Sequence, residues 1–506
     1  VTRVPIHIVW FKRDLRLTDH LPLLHASRDE LPVLLVYFFE PSVMHYKDSD
    51  ERHWRFVTQS LVDINNTLAT HGHHIYRFNE EVIPTIEKIL YHFDVQKIFS
   101  HQETGNHITY QRDQQMVQFC KARGIEWVEY PTNGVIRGLK NRRTWSQRWM
   151  ETMSAPTCSV DLTQLKTIAL PPDMMGHFDF HASPSPLFQP GGPTHAKRYL
   201  ESFLYDRKSG YQKFISKPEE SRRSCSRLSP YLAWGNLSMR EVYQATLQAI
   251  QTTGDKRNLG FFLHRLHWHC HFIQKFESEC RMEFENLNHG FDDIRKEVKP
   301  EWIAAWENAQ TGFPLVDACL NCVKATGYLN FRMRSMLVSF LTHYLWQPWQ
   351  EGAHFLARQF LDYEPGIHYP QFQMLAGTTG VNTIRIYNPI KQSIDHDPHG
   401  FFIRKWVPVL QHVPDSFIHE PWNMNEEEQQ LAGIKLGIDY PLPIVDAPTA
   451  ANFARVNLWK TKKSTPVQNE NKVILKKHTK RKSEKEQPLQ LKIPHSIADS
   501  SGKIVS

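Results

Sequence analysis

The stretch that decides the fold runs from Thr311 to Pro389: TGFPLVDACLNCVKATGYLNFRMRSMLVSFLTHYLWQPWQEGAHFLARQFLDYEPGIHYPQFQMLAGTTGVNTIRIYNP. Leu329, Met333, Met336, Leu337, Phe340, Leu341, Tyr344 and Leu345 recur at three- and four-residue steps, which predicts a buried helix. Arg332 and Arg334 enter it just before it becomes almost wholly apolar. A cation this close to an apolar core needs an anion beside it, because an unpaired buried charge costs several kcal/mol. The spacing predicts a second helix from about Glu351 to Leu361, which delivers Asp362 and Glu364 at its end. A compact turn region is expected next, with Pro365, Gly366, Pro370 and the run Ala376-Gly377-Thr378-Thr379-Gly380. Guanidinium groups on one helix and carboxylates at the end of the next suit a polar pocket inside a helical core. They suit a structural salt bridge beside a glycine-rich connection equally well, since such pairs are common.

Outward from this stretch the chain divides into four parts. Residues 1–132 alternate strand and helix patterns, with strands expected at Ile6–Phe11, Pro32–Phe39, His74–Phe78, Lys97–Ser100 and Glu126–Tyr130. Trp54, Val57, Leu61, Ile64 and Leu68 share one face of an intervening helix. Strands alternating with helices imply an α/β domain, a Rossmann-like parallel sheet covered on both faces. No GxGxxG follows the first strand, so the dinucleotide fingerprint is absent. Residues 133–195 read as a connector, Arg/Trp-rich at Arg142, Arg143, Trp145, Arg148 and Trp149, then Pro-rich through Pro171, Pro172, Pro184, Pro186, Pro190 and Pro193. Residues 196–455 are all-helical in pattern. From 456 to 506 the composition turns polar and lysine-rich, which predicts a disordered basic tail.

The 506 residues suffice for two or three domains; 41% apolar content and 14 Trp mark a folded globular chain. No apolar run approaches the ~20 residues of a membrane span, and no signal peptide is visible. Seven irregularly spaced cysteines suit reduced thiols and a cytoplasmic location. The formal charge is +7, but the segment from Lys460 onward carries 12 Lys/Arg against 4 Asp/Glu, leaving the first 459 residues at about −1. Any DNA groove on the body must therefore come from local clustering. The cluster Lys476–Lys482 (KKHTKRK) reads as a nuclear-import signal in a eukaryotic host, a DNA-backbone clamp or a solubilising end.

The pieces TGFPLVDA (311–318), TGYLNFRMR (326–334), WQEG (349–352), LDYE (361–364) and RIYNPIKQ (385–392) resemble the flavin-binding heart of the DNA photolyase/cryptochrome family. So do SRLSPYLAWGNLS (226–238) and VWFKRDLRLTDH (9–20), all in the family's order between residues 9 and 392. The resemblance implies an all-α FAD-binding domain after the α/β domain. It assigns Tyr211, Cys225, Ser226, Arg227, Leu228 and Ser229 to the FAD phosphates, with Cys225 where the family usually has Thr. Phe262 stands where a flavin-facing Trp is common. Arg334 and Asp362 match the ion pair against the isoalloxazine ring, and Tyr363 lies between Asp362 and Glu364, the latter in place of a second Asp. His368 stands where repair enzymes have Asn, and a His there can donate a hydrogen bond or a proton to the flavin.

The same resemblance places the lesion pocket. Arg265 replaces the Glu that hydrogen-bonds a pyrimidine dimer, Trp268 keeps the aromatic wall, and His269 replaces an Arg. An Asn near the lesion has become Phe331 and a Met has become Ser335, while the paired histidines of (6-4) repair enzymes are missing at Asn330-Phe331. Arg332 and Gln392 fall at the DNA-contacting rim. In the tryptophan relay Phe372 occupies the first position and Trp349 keeps the second. A Phe is not readily oxidised, so the wire is broken at its inner end; Tyr363, Tyr369, Tyr387 and Trp346 suit another path and suit plain core packing equally well. His264, His267 and His271 share one helix face, and Cys319/Cys322 form a lone CxxC, yet neither makes a complete metal-ligand set, so no metal is expected.

The expected function is a deoxyribodipyrimidine photolyase-type carbon–carbon lyase using FAD and blue light to split cyclobutane pyrimidine dimers in UV-damaged DNA. The alternatives are a cryptochrome-like photoreceptor with a signalling partner, and repair of (6-4) photoproducts. In the family this resembles, the α/β domain often holds an antenna chromophore, a folate or a deazaflavin; His101–Asn106, after a strand end, is where one would sit, though the residues themselves favour none there. A monomer and no membrane partner are expected.

Overall fold

The computed structural model describes residues 3–174 and 185–478. Strands β1 (Val4–Phe11), β2 (Val33–Phe38), β3 (Ile75–Phe78), β4 (Phe93–His101) and β5 (Glu126–Tyr130) form one sheet in the order β3-β2-β1-β4-β5. All pairs are parallel, with His7 opposite Val33 and Lys97. Every residue of β2 is buried, as the continuous apolar runs of a sheet covered on both faces require. Strand β4 starts earlier than expected because Phe93-Asp94-Val95-Gln96 alternates inward and outward, and its polar half masks the strand. The order in which strands are added switches sides at β1, so a crevice opens beyond the ends of β1 and β4, between Lys12–Asp14 and Gln102–Glu103.

The connector is more regular than its composition suggests: Trp145–Ser154 is a helix that buries Trp145, Trp149 and Met153. Pro184 and its neighbours at 175–184 lie outside the described residues.

In the helical half, Pro314–Thr326 begins on a proline and stops at Gly327, whose positive φ closes the helix. The expected buried helix is Phe331–Ser339, running on through a π-helical turn at Phe340–Tyr344, and the next is Trp349–Gln359. The turn region expected after Glu364 is instead a helix, Pro365–Ala376. Pro365 sits in its first turn, where no N–H is needed, and Pro370 is tolerated within a segment held by close packing. A Cβ on Gly366 would lie 2.9 Å from Ile273 Cα, so the glycine permits backbone contact with the long helix Lys256–Ser278.

Ordered structure also continues beyond residue 455, correcting the tail boundary. Helices Ala447–Lys462 and Thr465–His478 follow, with Leu458 and Val467 fully buried. Widely spaced apolar residues in a lysine-rich background conceal the second helix. Of the cluster 476–482, Lys476, Lys477 and His478 end that helix; the rest of the tail, 479–506, lies outside the described residues.

Candidate functional site

The site is centred on the end of the Trp349–Gln359 helix. Arg334 Nη1 donates to Asp362 Oδ1 at 3.0 Å and Nη2 to Oδ2 at 2.8 Å, while Nε donates to the Leu329 carbonyl at 2.7 Å. The guanidinium lies 3.9 Å from the centre of the Phe360 ring. Burial pushes the Asp362 carboxyl up, but the Arg334 charge and hydrogen bonds from Arg334 and Ser229 outweigh it and hold it below its usual range. This bidentate pair is therefore a fixed, ionised polar wall.

The segment Cys225–Ser229 approaches the same wall. Arg207 organises it, donating to the carbonyls of Arg223 at 2.8 Å and Ser226 at 3.2 Å, and also to that of Cys225. Arg227 adopts φ +60°, an unfavourable left-handed conformation for a non-glycine residue. Its guanidinium lies 3.7 Å from the Tyr328 ring centre. Burial pushes the Cys225 thiol up to about 11, so it presents a neutral S–H. Leu228 is buried beside it, and Tyr211 packs against Phe203 and Phe262.

On the facing helix His269 Nε2 lies 3.3 Å from Glu364 Oε2, oriented so that neither atom makes a hydrogen bond. Arg227 Nε and Arg332 Nε are likewise buried without acceptors. Buried polar groups are seldom left unpaired, so these atoms fit a polar ligand that the polypeptide does not itself supply. His368 differs from expectation. Its Nε2 bonds the Ala353 carbonyl at 2.7 Å, and burial lowers its pKa to about 3. The neutral ring has its one N–H committed to Ala353, so it is not a proton donor to a flavin; Nδ1 is left as an acceptor.

Two of the residues expected at the lesion face, Arg265 and Phe331, lie side by side. Trp268 is 50% and Phe331 43% exposed. Arg265 lies 4.8 Å from the Phe261 ring and 5.9 Å from that of Phe331, and Arg332 lies 5.6 Å from Tyr387. Gln392 Oε1 is buried without a donor. Of the relay positions, Phe372 packs 4.7 Å from His368. Trp349 donates from Nε1 to Asn286 Oδ1 at 2.9 Å and meets the Tyr369 ring at 6.4 Å.

The three helix histidines do not gather around one point: His264 is exposed, while His267 and His271 pack on Trp145 and Trp149. Arg142 donates to His271 Nδ1 at 2.8 Å. A tighter group escaped the sequence reading. Asp14 Oδ2 lies 2.9 Å from His20 Nε2 and 2.6 Å from His101 Nδ1, all fully buried. Also missed was Asp48, which accepts from Tyr363 across the two domains; 315 residues separate them, and no local pattern announces such a contact.

At the sheet crevice Arg112 binds Glu40, Glu103 and Asp113, and Lys12 binds Asp113. The space left between them, Trp10 and Tyr37 is about 60 Å³, against roughly 300–1,000 Å³ for ligand pockets generally. Among the described residues no helix is long and apolar enough to cross a membrane.

Residues 262–460 match the FAD binding domain of DNA photolyase, and 7–147 match the DNA photolyase domain. The chain is 28% identical over 464 residues to a deoxyribodipyrimidine photo-lyase of Alkalihalophilus pseudofirmus, covering 87% of this chain and 94% of that protein. It is 29% identical over 476 residues to a cryptochrome DASH of Synechocystis sp., covering 87% and 95%. An archaeal photolyase structure from Sulfolobus tokodaii, with two FAD molecules, is similar with TM-score 0.75 and 25% identity over 90% of this chain and 99% of that one. A bacterial class III photolyase from Agrobacterium tumefaciens shares the fold at TM-score 0.79 and 23% identity, over 92% and 99%. With the parallel sheet, the helical FAD-binding domain and full-length relatives all in agreement, the chain belongs to the DNA photolyase/cryptochrome family.

Proposed function

We propose that this protein is an FAD-dependent, blue-light-driven photolyase that splits cyclobutane pyrimidine dimers in DNA. One observation carries the reading: the exposed Trp268 and Phe331, with Arg265 close to Phe331, share their helices with the buried groups of the site. Phe331 and Arg334 lie on one helix, Trp268 and His269 on the other. Aromatic faces stack on unpaired bases, and a dimer must leave the duplex to be reached.

Bound FAD would supply the light absorption and the electron that opens the dimer. Arg334 and Asp362 would orient the ring system, and Ser226–Ser229 with Arg227 would hold phosphate. Arg265 offers N–H donors to dimer carbonyls or to the flanking phosphates. The test is to illuminate the protein with UV-damaged DNA and a reductant, counting each lesion type. Blue-light-dependent loss of cyclobutane dimers supports repair; loss of (6-4) products alone would reassign the substrate.

A cryptochrome-like photoreceptor is the second reading. It is favoured by nearly equal similarity to proteins named photo-lyase and cryptochrome DASH. Retained flavin with no lesion loss in the same assay would select it.

A further inference from the structure

We propose that Tyr363 is the residue that surrenders an electron to the photo-excited, oxidised flavin, its phenolic proton passing to Asp48 as the electron leaves. This rests on the flavin reading above. Tyr363 directly follows Asp362, and its ring centre lies 5.3 Å from that of His368. Its hydroxyl donates to Asp48 Oδ2. Tyr369 OH lies 3.4 Å from Tyr363 OH and 3.3 Å from the same carboxylate oxygen. All three residues are buried.

A phenol that loses an electron must also lose its proton, so a buried tyrosine is an effective donor only with a base in hydrogen-bond reach. Asp48 is that base, steadied by Asn106 Nδ2 at 3.0 Å. Burial holds the Tyr363 phenol well above its usual pKa, so the proton stays on oxygen until the electron departs.

Tyr369 reaches the same carboxylate only at 3.3 Å and shares its hydroxyl with His354, and the other neighbouring aromatics are less suited still. Phe372 has a ring that is hard to oxidise. Trp234 lies beneath the Arg13 guanidinium, 4.3 Å from its ring centre, and this positive charge opposes a second one on the indole. Trp349 donates its N–H to a neutral amide, Asn286, which is no base.

The step balances. One electron leaves the Tyr363 ring for the flavin and one proton moves from Oη to Asp48 Oδ2, leaving a neutral tyrosyl radical and a protonated carboxyl. A thiol in solution then returns the electron, and Asp48 returns the proton.

The test uses the full chain with bound flavin, a thiol and blue light, freeze-trapped for electron paramagnetic resonance. A fluorotyrosine placed at 363 should add fluorine hyperfine splitting to the trapped signal. Tyr363→Phe should abolish that signal and slow flavin photoreduction by roughly tenfold or more. Asp48→Asn, which keeps a hydrogen-bonding oxygen but takes no proton, should slow it similarly and remove the solvent deuterium effect. A yellow protein whose radical sits on tryptophan, with Tyr363→Phe photoreduced at the wild-type rate, overturns this inference alone. A protein that takes up no flavin overturns the site reading and the inference with it. Should either substitution prevent folding, the fluorotyrosine protein decides by its splitting.

Discussion

The imidazole of His368 and the backbone carbonyl of Ala353 are joined at 2.7 Å, which ties the Pro365–Ala376 helix to Trp349–Gln359 through a ring that must stay neutral. Burial lowers the His368 pKa to about 3, against about 6.5 when unfolded. The folded state therefore resists protonation while the unfolded chain accepts it. The contribution of His368 is complete above about pH 6.5 and is lost as the pH falls toward 3, at roughly 1.4 kcal/mol per unit. The Arg334 charge reinforces the neutral form and the Asp362 carboxylate opposes it, while His354, itself lowered to about 4 by burial, is neutral over most of this range. His368→Asn should narrow the difference in unfolding free energy between about pH 7.5 and pH 5 by ~2 kcal/mol. Urea titrations at the two pH values measure this; an unchanged difference would mean that His368 does not titrate in that window.

Asp362→Asn keeps the size of the side chain and removes its charge, leaving Arg334 without an anion. Losing one partner of a fully buried pair costs about 3–5 kcal/mol. The Arg334 side chain is 24% exposed, so a loss of about 2–3 kcal/mol is expected here. Visible flavin absorbance per protein should fall in parallel. Normal flavin content in the folded variant would remove Asp362 from the cofactor wall.

Trp268 and Phe331 contribute little to folding because both stand half out of the surface. Replacing either with Ala should leave thermal stability unchanged yet weaken binding to UV-damaged or single-stranded DNA by ~1–3 kcal/mol, the usual worth of one base–aromatic stack. Arg265→Ala should instead flatten the dependence of binding on salt by about one phosphate contact. Fluorescence anisotropy at several salt concentrations separates the two effects. Equal affinity for wild type and Trp268→Ala would place nucleic acid elsewhere.

What could be read from the residues alone follows from the range of each interaction. Strand β2 is legible because burial on both faces leaves an unbroken apolar run. Arg334 and Asp362 are 28 positions apart, but each sits at a helix boundary beside an apolar stretch, and the cost of an unpaired charge predicts the partner. The helix Pro365–Ala376 was hidden because its prolines and glycine carry local turn preferences. Tertiary packing against Ile273 overrides these, and nothing in the local sequence reports it. Asp48 and His53, which reach Tyr363 and the Phe360 carbonyl across the domain boundary, belong to no periodic pattern at all.

Beyond Lys463 the composition suits a disordered segment, yet Thr465–His478 packs on the body through Val467 and Ile474. Asn288 Nδ2 donates to the Val467 carbonyl at 3.1 Å and to Asn471 at 3.0 Å, and Lys477 donates to the Ser278 carbonyl at 2.9 Å. Burying two such aliphatic side chains contributes about 3–6 kcal/mol, offset in part by ordering the helix. A chain ending at Ser464 should therefore be less stable than one ending at His478 by ~2–4 kcal/mol, whereas ending at His478 should change little relative to the full chain. Gly290 gives a finer probe: a Cβ there would meet Val467 Cγ2 at 2.5 Å and its backbone N at 2.7 Å, so Gly290→Ala must push the helix away. Its urea midpoint should move toward that of the chain ending at Ser464. If Gly290→Ala and both shortened chains unfold at the wild-type midpoint, the helix adds nothing to the stability of the body.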